Sequence, residues 1–324
     1  MTDGMASTAG ISVLTVTHDR PERVRRLLAS LERAAGGRIA QLLIVDDSAS
    51  APDYASEFPA LPLEHVRLPV RQFISRAKNV GLAKVRNDLV LFIDDDNVVG
   101  PESFARAVPY LRGDPRLGAI LPAVLYARRP DLVWVYATPF RPGRWGFELV
   151  GRDRPRSAEL EGRFLPTDAL PNAAFVRTSA ARAVGGFDES LPVNSSAEFC
   201  RALKSAGWEV RADTGSFVYH DVEPPGTPGY WAAHASDRAR VYYEMRDWFV
   251  FQRRLRAGER AVRWRALAHA LPFVATTELA YWIRPGTDRG GLTVSLLRGV
   301  AAGLGRLPGR AGASAPAPPE AARR

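Results

Sequence analysis

Cysteine is nearly absent: Cys200 is the single one in 324 residues. No internal disulfide can form and no cysteine zinc cluster can be built, which fits a reducing cytoplasm. Lysine is almost as scarce, with Lys78, Lys84 and Lys204 the only three among 44 basic residues. A long uncharged apolar run is also missing. The richest stretch, 264–283, is interrupted by Arg265, His269, Pro272 and Glu278. A spanning helix wants about 20 apolar residues with few charges, so this stretch predicts an amphipathic or interfacial helix. The first ten residues hold no basic region followed by an apolar run, so no secretory leader is expected. No glycine-rich phosphate loop follows the first apolar run. THDRPE stands there instead, which argues against a nucleotidyltransferase. Internal repeats are lacking as well.

What is present is ordinary for a globular protein, with 46% hydrophobic and 24% charged residues. This excludes a wholly disordered, collagen-like or polytopic membrane chain. The length suits two domains, or one large domain with an appendage. Charge is unevenly placed. Arg246 to Arg324 holds fourteen arginines and five carboxylates, so the whole formal net charge of +9 lies there and residues 1–245 are neutral. A neutral body is not the pattern of a nucleic-acid enzyme. A basic segment rich in Trp, Phe, Tyr and Leu points instead to an anionic surface, such as the inner face of a membrane.

The opening reads as a βαβ unit. Ile11 to Thr17 is a β-rich run, and Val24, Leu27, Leu28 and Leu31 recur at helical spacing after Pro21. Gln41 to Val45 is the next buried run. Leu63 to Leu68 predicts a weaker strand, Ser75 to Lys84 a helix, and Leu89 to Ile93 a central strand. Pro101 to Leu111 predicts one helix and Gly118 to Tyr126 a strand. Residues 128–165 read as an irregular specificity loop. Ala173 to Arg177 and two short strands, Glu209 to Ala212 and Ser216 to His220, complete the sheet. Ala197 to Ala206 and 237–257 predict helices.

Two acidic turns follow apolar runs: Asp46-Asp47-Ser48 and Asp94-Asp95-Asp96-Asn97. In an open parallel sheet, ligands bind just past the carboxyl ends of strands. Three consecutive carboxylates repel one another unless a cation or several donors compensate. Their hard oxygens suit Mg²⁺ or Mn²⁺, with substrate phosphates and water completing the shell. The competing reading makes Asp96 or Asn97 the N-cap of a following helix. Cys200 reads as a packed helix residue. Trp134, Tyr136 and Trp145 are readable as sugar platforms or as packing aromatics, and His65 and His234 show no ligand spacing.

Four segments, in order, resemble the family 2 glycosyltransferases: ISVLTVTHDRPERVRRLLASL, LLIVDDSAS, RAKNVGLAKVRNDLVLFIDDDN and AAFVRTSAARAVGGFDESL. The resemblance covers roughly residues 10–250. It implies a GT-A fold, α/β and Rossmann-like, with a mostly parallel central sheet flanked by helices and a C-terminal helical extension. It divides the chain into a flexible 1–9, a nucleotide-sugar-binding and catalytic domain over 10–235, a basic helical region over 236–310, and a disordered tail over 311–324. It implies transfer of a sugar, with inversion, from a UDP- or dTDP-sugar to a hydroxyl acceptor on a saccharide, a lipid-linked saccharide or a natural product. Thr17 and Arg20 would line the nucleotide pocket. Asp46 would accept from the base edge, with Ser48 nearby. Arg76 and Lys78 would lie near the ribose or diphosphate, together with Asp94 and Asp95. Asp96 and His220 would meet the Mg²⁺ or Mn²⁺. The segment from Tyr242 to Asp247 resembles a family helix that packs near the acceptor site or membrane, and reads equally as simple helix packing.

The chain departs from that pattern at one place. Where the family has Glu-Asp ahead of the helix AEFCRALKSAGW, this chain has Ser195-Ser196. A serine cannot serve as the carboxylate base of an inverting displacement. Glu198 or Asp168 then supplies the base, the acceptor needs little help, or the chain is a silent nucleotide-sugar-binding or scaffold protein.

Overall fold

A computed structural model describes residues 10–305 except 36, 142–145, 228–236, 257–263, 269–270, 272–273, 276–277 and 280–287. The terminal segments 1–9 and 306–324 and half of the 264–283 stretch therefore lie outside the described residues, as do Trp145 and His234. Among the described residues no helix is long and apolar enough to cross a membrane.

Strand β1 (Ile11–Thr17), helix α1 (Pro21–Ala35) and strand β2 (Ile39–Asp46) form the predicted βαβ unit. Short α2 (Tyr54–Glu57), β3 (Leu63–Arg67), α3 (Phe73–Lys84) and β4 (Leu89–Ile93) follow. β3, β2, β1 and β4 lie side by side in that order and all run parallel. Alternation along each strand sends neighbouring side chains to opposite faces. Val13 meets Val24, Leu27, Leu28 and Leu31 of α1 on one face, and Leu14 meets Leu82 of α3 on the other. Each of these fully buried side chains contributes about 1.5–3 kcal/mol. Gly81 lets α3 lie close on the sheet, because a Cβ there would collide with Leu14.

The second half of the sheet is mixed. After β5 (Asn97–Val99), α4 (Glu102–Ala105) and α5 (Ala107–Gly113) come β6 (Leu117–Tyr126), β7 (Arg129–Val135) and the small β8 (Phe140–Arg141) and β9 (Gly146–Phe147). β10 (Phe164–Pro166), β11 (Ala173–Arg177), α6 (Thr178–Ala183), α7 (Ser196–Ser205) and β12 (Glu209–His220) complete this part. β11 runs antiparallel between β4 and β6, β12 runs parallel to β6, and β10 closes the edge. Two long helices finish the described chain, α8 (Arg238–Leu255) and α9 (Arg289–Leu304).

Three expectations need correction. The single helix predicted from Pro101 is broken at Arg106 into α4 and α5. Pro109 has no N–H to give the Ala105 carbonyl. The stretch 128–165 is not wholly irregular: β7 folds back on β6 and the β8–β9 ribbon follows. The two short strands near the end are one strand, β12, whose register slips between Asp213 and Phe217.

Candidate active site

β1, β2 and β4 are parallel neighbours, so their carboxyl ends lie together and the polar turns after them converge. A cleft of about 370 Å³ opens there. Thr17, His18, Asp19 and Arg20 line it from the first turn, Asp47 from the second, and Asp94, Asp95 and Asp96 from the third. Arg71, Phe73 and Val193 extend the wall, and Asp237 and Arg240 at the start of α8 close the far side.

The acidic turn is surrounded by cations. Lys78 Nζ lies 3.0 Å from Asp94. Asp95 accepts from the Thr17 hydroxyl at 2.7 Å and from Arg20 at 3.3 Å. Asp96 accepts from Arg23 at 2.8 Å, with His220 Nε2 at 3.5 Å. Burial, then the neighbouring Asp96, pushes Asp95 up to about 6, against the pull of Arg20 and Thr17. Burial opposes charge on Asp96 too, but His220, Arg23 and Arg20 outweigh it and hold that carboxyl below its usual range. Asn97 begins β5 rather than a helix, which removes the N-cap reading of this turn. Arg23 was not foreseen, although it stands one helical turn beyond Arg20 and so shares its face.

His220 ends β12 and pairs in register with Asn97 of β5, so the sheet itself brings it to the acidic turn. Its ring lies edge-on to Trp134 at 5.0 Å, which makes Trp134 a packing partner of the histidine. The buried Nδ1 has no hydrogen-bond partner. Among the described residues no three His, Cys, Asp or Glu side chains converge as a complete metal cage. The Asp96 carboxylate beside His220 Nε2 nevertheless offers one oxygen and one nitrogen donor, which suits Mn²⁺ or Mg²⁺ where phosphates and water fill the rest of the shell.

At the second turn the structure brings Asp47, not Asp46, to the cleft. Asp46 is buried away from the cleft, accepting from Ser48 N–H at 2.8 Å and Arg67 at 3.1 Å, with His65 Nε2 at 3.2 Å. Burial opposes its charge, but these partners hold its pKa below the usual range. Asp47 faces the cleft instead, because successive residues leaving a strand point to opposite sides. It accepts from Gln72 N–H at 2.6 Å, and His18 Nδ1 lies 2.8 Å away. That hydrogen bond raises the His18 pKa above 6.5 against the effect of burial. Ser48 accepts from the Asp19 amide at 2.7 Å, fixing Asp19 at φ +52°. Phe73, at φ +58°, is a bulky residue in the left-handed region, and it lines the cleft under the Arg71 guanidinium.

Besides Asp46, three further predicted residues lie away from the cleft and the turns that line it. Arg76 is exposed on α3, out of phase with cleft-facing Ala77. Glu198 is 1% exposed and ion-paired with Arg201 one turn along α7 at 2.5 Å. Asp168 pairs with Lys204 at 2.5 Å and accepts from Phe140 N–H at 2.8 Å. Neither carboxylate lines the cleft. Ser195 is itself buried and accepts from the Ser75 hydroxyl at 2.7 Å.

The loop 188–195, which brings Val193 to the cleft, is held from α8. Asp247 accepts from Val193 N–H at 2.9 Å and Asn194 N–H at 3.3 Å. Arg246 donates to the Ser190 carbonyl, and Arg254 donates to Asp188 at 2.6 Å. Burial pushes Asp247 up to about 6 despite Arg246 and the two amides. Tyr242 and Tyr243 are buried, while Arg246 and Asp247 of the same segment bind the loop. Arg240, by contrast, points into the cleft. Asp237 caps α8 by accepting from Arg240 N–H at 2.7 Å, and it pairs with Arg71 at 2.9 Å. Burial raises its pKa, but Arg71 and the amide bring it below the usual range. Cys200 is buried, its thiol pushed up to about 12 by desolvation, which leaves it inert.

Comparison with known proteins agrees with this geometry. The profile described as Glycosyl transferase family 2 matches residues 12–164, and that of Glycosyl transferase family group 2 matches residues 89–304. A pre-mycofactocin glycosyltransferase of Mycobacterium tuberculosis is 24% identical over 213 residues, covering 65% of this chain and 42% of the relative. The chain thus spans less than half the length of that protein. Among solved structures, GalNAc-T7 with UDP, GalNAc and Mn²⁺ superposes with a TM-score of 0.54 at 13% identity, over 74% of this chain and 50% of that one. The mannosyltransferase PcManGT from Pyrobaculum calidifontis, with GDP-Man and Mn²⁺, gives 0.51 at 17% identity, over 90% and 86%.

Proposed function

The chain belongs to the family 2 glycosyltransferases, and from that membership we propose that it moves a sugar from a nucleoside diphosphate sugar to a hydroxyl acceptor with inversion. A UDP- or dTDP-sugar is the expected donor. The observation that carries the reading is the convergence of three strand-end turns, with their carboxylates and encircling cations, on one cleft.

In this reading the nucleoside lies toward His18 and Asp47, and the diphosphate toward the Asp94 to Asp96 turn. Arg20, Arg23, Lys78 and Arg240 balance the charge that collects there. Asp96 and His220 would hold a Mg²⁺ or Mn²⁺ ion, which supplies Lewis-acid help to a departing diphosphate. The Mn²⁺ in both solved neighbours supports that assignment. The acceptor hydroxyl must lose a proton as it attacks. Among the described lining residues, Asp237 is the one carboxylate that does not come from a strand-end turn. It stands on the acceptor side, kept ionised by Arg71, and is the base in this reading. The acceptor is a saccharide, a lipid-linked saccharide or a small natural product.

Ser195-Ser196 favours a second reading, a nucleotide-sugar-binding protein without turnover. Calorimetry with UDP or dTDP and Mn²⁺, followed by assay of sugar release from the matching donors, separates the two. Manganese-dependent heat and sugar release, both reduced in Asp96→Asn, are expected. Heat without release supports the binding protein. No heat with either nucleotide overturns both.

A further inference from the structure

α9 lies parallel to α8 and close against it. Asp288 at its start is ion-paired with Arg238. A Cβ on Gly299 would meet Tyr242 and Met245, and one on Gly303 would meet Phe249. Arg253 donates to the Gly303 and Gly305 carbonyls at 2.6 Å each. Leu292, Ser295 and Leu296 complete the buried face. A helix packed on one side normally turns polar residues to water on the other. Here the outer face holds Val294, 46% exposed, Leu297, 55% exposed, and Ala301, with Arg298 beside Leu297. No carboxylate occurs from Arg289 to Leu304.

The same part of the chain exposes Trp264 at 76%, Leu271 at 56% and Leu279 at 61%. Large apolar side chains exposed repeatedly in one part of the chain point to a contact surface. The segment from Arg246 onward also carries the entire net charge of +9. Arg246, Arg253 and Arg254 are turned inward, but Arg298 lies on the outer face, and a negative surface over an apolar interior complements both its charge and its apolar neighbours. A second copy of this chain fits poorly, because two faces of the same sign would repel. An in-plane helix with apolar residues on its outer face and arginines beside them fits a lipid leaflet, and an exposed tryptophan suits the headgroup level.

We infer that the outer face of α9, with Trp264, docks on an anionic lipid surface. α8 begins at the cleft with Asp237 and Arg240, and α9 begins beside it, so docking holds the cleft within about one helix length of the bilayer, roughly 24 Å at 1.5 Å per residue. The inference does not rest on the donor chemistry, since lipid binding is measured without any sugar nucleotide.

The test is co-sedimentation of the full chain with vesicles of phosphatidylglycerol and phosphatidylcholine against phosphatidylcholine alone. Binding to the anionic vesicles is expected, weakened by 0.5 M salt to about the neutral level as the screening length shortens. The double variant Val294→Asp and Leu297→Asp should lose about tenfold or more in affinity, the share one buried apolar side chain carries. Arg298→Glu should reduce binding by a smaller factor. Thermal unfolding of both variants like that of the parent keeps the comparison valid. Equal binding to neutral and anionic vesicles, or unaltered binding by both variants, overturns the inference. So does light scattering that shows a dimer which the double variant converts to a monomer.

Discussion

The two walls of the cleft, named donor and acceptor for the roles proposed above, are built in opposite ways. The donor wall is local and repetitive: three parallel strands end side by side, and each delivers a polar turn within four residues of its last buried position. The acceptor wall is assembled from a distance, since loop 188–195 owes its shape to Asp247, Arg246 and Arg254 on α8, more than fifty residues later. A carboxylate on the donor wall comes with its strand. One on the other wall has to be supplied by whichever element packs there, and with Ser195 and Ser196 in place of carboxylates the proposed base is Asp237, the N-cap of α8.

The strongest way to break this comparison is at Asp237. Asp237→Asn keeps a good N-cap while removing the negative charge, and sugar transfer should fall by about 10²- to 10⁴-fold with nucleotide affinity unaltered. Glu198→Gln and Asp168→Asn, assayed alongside, should leave transfer near the parent rate. Full transfer by Asp237→Asn returns the question of the base to the loop. Next in size is Asp247→Ala, which removes the acceptor of two loop amides and leaves Arg246 buried without its carboxylate. Urea unfolding should show a loss of about 3–5 kcal/mol.

Asp96→Asn probes the donor wall. Sugar transfer and donor hydrolysis should drop together by about 10²- to 10³-fold, and manganese-dependent nucleotide binding should weaken with them, unlike Asp237→Asn. The smallest effect concerns His18. Its folded pKa is raised above 6.5, so its stabilising contribution is fully present below pH 6.5 and is lost as pH rises through the raised value. His18→Gln should flatten that part of the pH dependence of the melting temperature.

Much of the donor wall was legible because apolar runs ending in Thr17, Asp46 and Asp94 announce buried strands and their polar exits. Finer detail failed where one residue of register matters. Asp46 and Asp47 are chemically identical in sequence, and only the direction in which the chain leaves β2 decides which one faces the ligand. Arg76 failed for the same reason, by its phase on α3. The acceptor wall was poorly legible because Glu198 and Asp168 already satisfy Arg201 and Lys204, pairings that depend on tertiary contacts. His220 was legible as a strand-end histidine. Its approach to Asp96 follows from β5 and β12 pairing, which no local pattern reveals.

The carboxylate of Asp247 ties two distant stretches of the gene product into one heritable unit. A crossover between relatives that falls after residue 195 and before residue 238 would join a loop from one parent to a helix from the other, and the amides of Val193 and Asn194 would meet a foreign side chain. Substitutions in the loop and in this helix are therefore expected to travel together through descent, and exchange of the C-terminal segment alone is expected to be selected against.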